Sequence, residues 1–252
     1  MASIGVLVIH GFTATPASVA VLEKPLRGLS VPVSMPLLAG HGASSPEALR
    51  GVTFHDWIES AGEAFGRLAE EAERIVVVGH SMGALLALQL AAVYEPSRVD
   101  SLVLAAPALK LSSPFAPGRP LRFAAGLLAR FVKKWPLRPV YAEADYISCG
   151  EPYTWVPVEA VFSLFELIDR TVPVLGNVQV PVLILQNRGD STVLPESAEL
   201  LRKALGTRSE EKSVFWLERS EHQLFCDCER ELASSTTTAF VSARIAKFSG
   251  NQ

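Results

Sequence analysis

Residues 75–92 read IVVVGHSMGALLALQLAA. The β-branched residues Ile75, Val76, Val77 and Val78 lead into a turn centred on Ser81, and strong helix formers follow, which predicts a strand, a sharp turn and a helix. Ser81 is the middle of Gly79-His80-Ser81-Met82-Gly83, a G-x-S-x-G pattern in the strand–turn–helix setting that gives the pattern its meaning. Reversing from strand to helix so abruptly strains the central residue by about 1–3 kcal/mol. Side chains two positions either side would collide across the turn, and Gly79 and Gly83 have none. The hydroxyl is thereby held on the tip, beside the free amides and positive dipole end of the helix, where negative charge would be stabilised. The bland alternative is a glycine-bounded turn with an idle serine.

Working outward, residues 4–9 form a continuous apolar run ending at His10-Gly11, the pattern of a strand buried on both faces of a parallel sheet. Thr15-Pro16 reads as a helix cap with proline at the first helical position, and Gly28 closes that helix. Val31, Val33 and Met35 alternate as a strand, and Thr53 with Asp56 predicts a capping box opening a helix over 55–73. Strands are predicted again over 102–106, 182–186 and 214–217. Ligands of open parallel sheets bind beyond the carboxyl ends of the strands, so function is expected on the loops that follow them.

From Pro107 the rhythm breaks and no parallel strand is predicted until Val182. Residues 107–178 are therefore expected to be a lid inserted into a core made of 1–106 and 179–252. Two helical runs are predicted there, over 121–134 and 158–175. Phe123, Leu127, Leu128 and Phe131 recur at helical spacing, and the apolar faces are expected to roof the site. The fold class expected is α/β, a mostly parallel sheet of about six strands flanked by helices, with a helical lid.

The composition narrows the partners. At 252 residues, 49% hydrophobic and 19% charged, the chain is of ordinary globular type, and a net charge of −3 gives no reason to expect a nucleic-acid partner. Between Lys110 and Ala142 there is no acidic residue, whereas Lys110, Arg119, Arg122, Arg130, Lys133, Lys134 and Arg138 are basic. This run reads first as the solvated face of a lid helix and, as the alternative, as a weak contact for a membrane or lipid surface. Cys149, Cys226 and Cys228 lack the paired spacing of a disulfide framework or zinc site and read as free thiols. With no basic, apolar leader at the N-terminus, a cytoplasmic location is expected.

A serine hydroxyl is a weak nucleophile until a base takes its proton. Of five histidines, His80 adjoins Ser81 and points elsewhere, His10 and His41 lie in glycine-containing loops, and His55 lies near a helix start. His222 follows the last predicted strand and is assigned as the general base. A base needs an acceptor to hold its tautomer, and Asp190, on a loop after a strand and before His222, fits the chain order nucleophile, acid, base. Asp145 and Asp169 lie in the lid, and Asp227 follows His222 too closely. The backbone amides of Met82 and Phe12 are the candidate oxyanion donors, each worth about 3–4 kcal/mol in rate.

His10-Gly11-Phe12-Thr13 with Thr15-Pro16, Gly40-His41-Gly42, Thr53-Phe54-His55-Asp56-Trp57, the Ser81 turn, the Asp190 loop ending Leu194-Pro195, and Ser220-x-His222 with Asp227 come in one order along the chain. Together they resemble the bacterial monoacylglycerol lipases and related carboxylesterases of the α/β hydrolase superfamily, nearly end to end and most weakly over 108–147. Ala14 and Ala84 stand where many such relatives have glycine, and the lid diverges. The resemblance implies hydrolysis of a small-molecule carboxylic ester without cofactor or metal, with Ser81, Asp190 and His222 matching the triad and Phe12 and Met82 the oxyanion positions. Short to medium apolar acyl chains or monoglycerides are the expected substrates. A thioesterase or amidase with the same triad, or a binding protein on the same fold, are the alternatives.

Overall fold

A computed structural model of the chain describes residues 3–137, 141–142 and 153–250, and the backbone alone at 128 and 129. Arg138, Asp145 and Cys149 lie outside the described residues. The strands are β1 (Ile4–Ile9), β2 (Val33–Ser34), β3 (Arg74–His80), β4 (Val99–Ala105), β5 (Lys134–Pro136), β6 (Trp155–Pro157), β7 (Val182–Asn187) and β8 (Lys212–Leu217). The helices are α1 (Glu23–Arg27), α2 (Phe54–Glu71), α3 (Met82–Gln89), α4 (Ala125–Phe131), α5 (Val158–Thr171), α6 (Glu196–Ala204) and α7 (Arg230–Gly250).

Six strands pair in the order β2-β1-β3-β4-β7-β8, every pair parallel. All of β1, β4 and β7 is buried, as the continuous apolar runs predict for strands covered on both faces. Successive residues feed opposite cores. Leu7, Ile9, Val77, Leu104 and Ile184 pack with Trp57 and Phe65 of α2, whereas Val6, Val8, Val78, Val103 and Leu185 pack with Leu26 of α1 and Val241 of α7. The register sets Ile9 beside Gly79, His80 beside Ala105 and Asn187 beside Leu217, so the loops that follow these strands leave from one edge of the sheet.

Local chemistry sets the element ends. Asp56 closes the predicted box at the start of α2, its Oδ2 accepting from both the N–H and the Oγ1–H of Thr53 at 2.7 Å. Strand β2 is only two residues long despite the alternation around it, because Pro32 and Pro36 on either side have no N–H for the ladder. The second helical run divides into α5 and a 3-10 helix Val172–Asn177, with Pro173 at the change of winding. Helix α3 is buried at every position.

Between β4 and β7 the structure departs from the prediction in two ways. The run over 121–134 is not one helix: α4 stops at Phe131, and Lys134–Pro136 pairs antiparallel with Trp155–Pro157. The expectation that Phe123, Leu127 and Phe131 roof the site is also corrected, for they are 85%, 60% and 79% exposed. Small Ala125 takes the inward position and Phe123, Leu127 and Phe131 face out, while the Leu128 side chain lies outside the described residues. The inner surface is built instead by Trp135, Leu137 and Tyr153, with Val161, Leu164 and Phe165 of α5. The reading of three free thiols is corrected at Cys226, which is disulfide-bonded; sequence spacing does not report which thiols a fold brings together. Among the described residues no helix is long and apolar enough to cross a membrane.

Candidate active site

Ser81 stands between β3 and α3 with φ 56° and ψ −113°, the strained conformation that the strand–turn–helix pattern predicts. Its N–H is held by the Ala105 carbonyl at 2.8 Å. Glycine is required at both flanks: a Cβ on Gly79 would run into the Gly83 carbonyl, and one on Gly83 into the Ile9 carbonyl. Thr13 after β1 (φ 64°) and Ala106 after β4 (φ 45°) are also left-handed, so three neighbouring strand ends concentrate backbone strain around the serine.

The structure brings the three predicted side chains into one row. His222 Nε2 lies 2.9 Å from Ser81 Oγ, and His222 Nδ1 lies 3.0 Å from Asp190 Oδ2. An ionised carboxylate only accepts, so Nδ1 carries the proton, and Nε2 is left as an acceptor for the serine hydroxyl. Asp190 is turned to this task by its own loop, Oδ1 accepting from the N–H groups of Thr192 and Val193 at 2.9 and 2.8 Å. Burial alone would raise the Asp190 carboxyl, but the His222 ring and these hydrogen bonds outweigh it and hold the group below its ordinary value.

Phe12 lies on the loop after β1 and Met82 is the first residue of α3, whose amide has no acceptor within the helix. The β1 loop presses on the serine, since a Cβ on Gly11 would sit 3.2 Å from that of Ser81. Two of the other aspartates considered from sequence are occupied elsewhere, and Asp145 lies outside the described residues. Asp169 pairs with Arg122 at 3.1 Å, and buried Asp227 accepts the N–H groups of Ala142, Glu221 and Cys228.

Three of the remaining histidines are buried and fasten this framework. His10 Nε2 accepts the Leu38 N–H at 3.2 Å, and its Nδ1–H donates to the Gly11 carbonyl at 2.9 Å. His41 Nδ1–H donates to the Ala39 carbonyl, and His80 Nε2–H donates to the carbonyl of His222 itself at 3.0 Å. Burial is the main reason that their pKa values fall, to about 3 for His10 and about 4 for His41 and His80. His55 is exposed, stacked on Phe54.

Ser81 and His222 open into a cavity of about 380 Å³. Sequence reasoning missed the part of its wall made by Trp135, Leu137, Tyr141 and Tyr153, whose only sequence signal was a cluster of aromatics in a stretch without periodicity. Tyr153 also fastens that wall to the core, its hydroxyl donating to the Ala43 carbonyl at 2.7 Å. No Asp, Glu, Lys or Arg is among the described residues that line the cavity. Among the described residues no three His, Cys, Asp or Glu side chains are grouped to hold a metal ion.

A family model described as serine aminopeptidase, S33, matches residues 3–229. The thermostable monoacylglycerol lipase of Bacillus sp. (strain H-257) is 28% identical over 94% of this chain and 90% of its own. A carboxylesterase of Bacillus subtilis (strain 168) is 26% identical over 94% and 91%. A solved structure from work on the metagenome-derived lipolytic enzymes LipS and LipT superposes with a TM-score of 0.85 at 29% identity, covering 95% of this chain and 94% of that one. With the parallel sheet, the strained serine turn and a match over most of its length, the chain belongs to the S33 serine aminopeptidase family of α/β hydrolases.

Proposed function

We propose that the chain is a serine carboxylic ester hydrolase working through an acyl-enzyme. Ser81 Oγ attacks the ester carbonyl carbon as its proton passes to His222 Nε2, and Asp190 stabilises the imidazolium that results. The tetrahedral oxyanion is met by the N–H groups of Phe12 and Met82. Its collapse breaks the bond to the alcohol, which leaves with the proton from His222; water, deprotonated by the same imidazole, then releases the acid. The observation that carries this reading is the Ser81–His222–Asp190 row opening on a cavity whose described lining holds no Asp, Glu, Lys or Arg.

The absence of charge from the described lining favours ester over peptide substrates. An aminopeptidase must neutralise the α-ammonium of its substrate, and an unpaired charge in an apolar site costs several kcal/mol. A neutral ester needs no such partner. The cavity joins an apolar wall of Trp135, Leu137, Leu164 and Phe165 to hydroxyls of Thr13, Ser112, Ser113 and Thr192. Its volume is near the lower end for ligand pockets, about 300–1,000 Å³, which suits short to medium acyl chains or monoglycerides. We assign residues 107–178 as the lid of this site. A fluorophosphonate probe is expected to label the wild type and not Ser81→Ala. Equal labelling of both proteins, or of neither, sinks the mechanism, and a panel of nitrophenyl esters and monoacylglycerols then ranks chain length.

The outward stripe of Phe123, Leu127 and Phe131, with Arg130, Lys133 and Lys134 exposed beside it, suits docking of the lid on an anionic lipid surface. Flotation with vesicles containing phosphatidylglycerol is expected to recover the protein. Phe123→Ser with Phe131→Ser is expected to weaken binding about tenfold or more, given the apolar area lost. Equal recovery of both proteins, or no preference for anionic over phosphatidylcholine vesicles, removes the lipid reading.

A further inference from the structure

We infer that Glu221 is a positioning residue that fixes the span between acid and base by bracing the Asp190 loop against the His222 loop. The inference rests on the proposed triad and concerns what keeps its parts in reach. Asp190 and His222 lie on loops that leave the ends of β7 and β8, where the sheet ladder closes at Asn187 beside Leu217. One further backbone bond, Arg188 N–H to the Leu217 carbonyl at 3.1 Å, extends it. Beyond that point the ladder holds neither loop, although the contact between them must be kept to a few tenths of an ångström.

The Glu221 side chain crosses this gap. Its Oε2 accepts the N–H of Ser191 at 3.0 Å and the Oγ–H of Ser191 at 3.1 Å. Ser191 follows Asp190 and Glu221 precedes His222, so the brace joins the immediate chain neighbours of the two groups. Each end is itself anchored. On one side, the N–H groups of Thr192 and Val193 are taken by Asp190. With Ser191 on Glu221, three successive amides of that loop are bound by carboxylates. On the other side, the Glu229 carboxylate accepts the N–H groups of Glu218, Arg219 and Ser220, and Asp227 accepts that of Glu221 at 2.8 Å. A rigid backbone beneath Glu221 makes its carboxylate a fixed strut. The exposed Arg188–Glu218 pair also spans the two loops, but lower down and with both side chains more than half exposed, where such pairs hold little.

Neither Glu221 nor Ser191 is among the residues lining the cavity, so changing them leaves the substrate's surroundings intact. Both lie where truncation is tolerated, Ser191 exposed and Glu221 half-buried. Glu221→Ala is expected to lower kcat about 10- to 100-fold with KM unchanged, the scale of loss when a catalytic group is displaced by about 1 Å. Glu221→Gln keeps a carbonyl oxygen that accepts both Ser191 hydrogens, and is expected to stay within about twofold of wild type. Adding Ser191→Gly to Glu221→Ala is expected to cost nothing more, because the interaction is already gone.

The test is steady-state kinetics on one nitrophenyl ester for these variants and Ser81→Ala, with melting temperatures alongside. Wild-type kcat in Glu221→Ala overturns the brace, as does Glu221→Gln falling as far as Glu221→Ala, which would make charge the cause. A rise in KM with kcat kept also overturns it. Retained turnover in Ser81→Ala overturns the triad itself, whatever Glu221 does, so the two failures are distinct.

Discussion

Lowering the pH from 7 to 5 is expected to remove roughly 6 kcal/mol of folding stability through His10, His41 and His80. Burial holds their folded pKa values at about 3, 4 and 4, against 6.5 for the unprotected side chain. The neighbouring ring of His41 lowers His10 further, as that of His222 does for His80. The bonding agrees with the neutral state. A proton on His10 Nε2 would break the bond from Leu38, and His41 Nε2 and His80 Nδ1 are buried without a hydrogen-bond partner among the described residues.

Above pH 6.5 the three rings are neutral in both states and the stability is fully present. As the pH falls below that value the unfolded chain takes up protons that the folded chain refuses until the pH nears 4 to 3. Each histidine then costs up to about 1.4 kcal/mol per pH unit, or about 2 kcal/mol by pH 5. The total rivals the whole stability of an ordinary domain, about 5–15 kcal/mol. Urea melts followed by circular dichroism between pH 7.5 and 4.5 should show the midpoint falling steeply below pH 6.5. A midpoint that stays level down to pH 5 would refute the assignment of three neutral buried rings.

Gly83→Ala is expected to break the fold at the site. The added methyl would collide with the carbonyl of Ile9 and lie 2.7 Å from that of His10, both backbone atoms at the end of a strand buried in the sheet. Backbone cannot swing aside as a flexible side chain does, so either the β1–β3 ladder opens or the Phe12 loop leaves the serine. A loss of about 4 kcal/mol or more, the extreme for single substitutions, is expected. Labelling by the fluorophosphonate probe should disappear with it. Gly62→Ala is the control: nothing lies within 4 Å of its added methyl in α2, and alanine should stabilise that helix by up to about 1 kcal/mol. A Gly83→Ala protein that melts like wild type and labels fully would show that the turn is more forgiving than its geometry.

What the sequence discloses follows burial and chain order. Residues 4–9, 75–78 and 182–186 are legible as strands because burial on both faces demands largely unbroken apolar runs. Ser81 and Asp190 are legible because each follows such a run, and His222 because it follows the last strand, since strand ends converge in a parallel sheet. The orientation of α4 is not legible: period alone identifies the stripe of Phe123, Leu127 and Phe131 but not whether it faces in, and the deciding residue, Ala125, is too small to stand out. Strands β5 and β6 are three residues each, shorter than any window in which alternation can be counted. The Glu221–Ser191 brace joins polar loop residues thirty positions apart, for which sequence has no periodic signature at all.

The described lining of the cavity, which holds no Asp, Glu, Lys or Arg, also bears on what happens after turnover. An ester arrives neutral, but the acid left by its cleavage is an anion above about pH 5. That anion is left at Ser81 beside the Phe12 and Met82 amides and the start of α3, which favour negative charge, whereas the described wall of Trp135, Leu164 and Phe165 offers no lysine or arginine as a counter-ion. On the proposed mechanism the acid is therefore held by main-chain dipoles, with no lysine or arginine in the described wall to retain it. Hydration of the free carboxylate in water then favours its release over its retention.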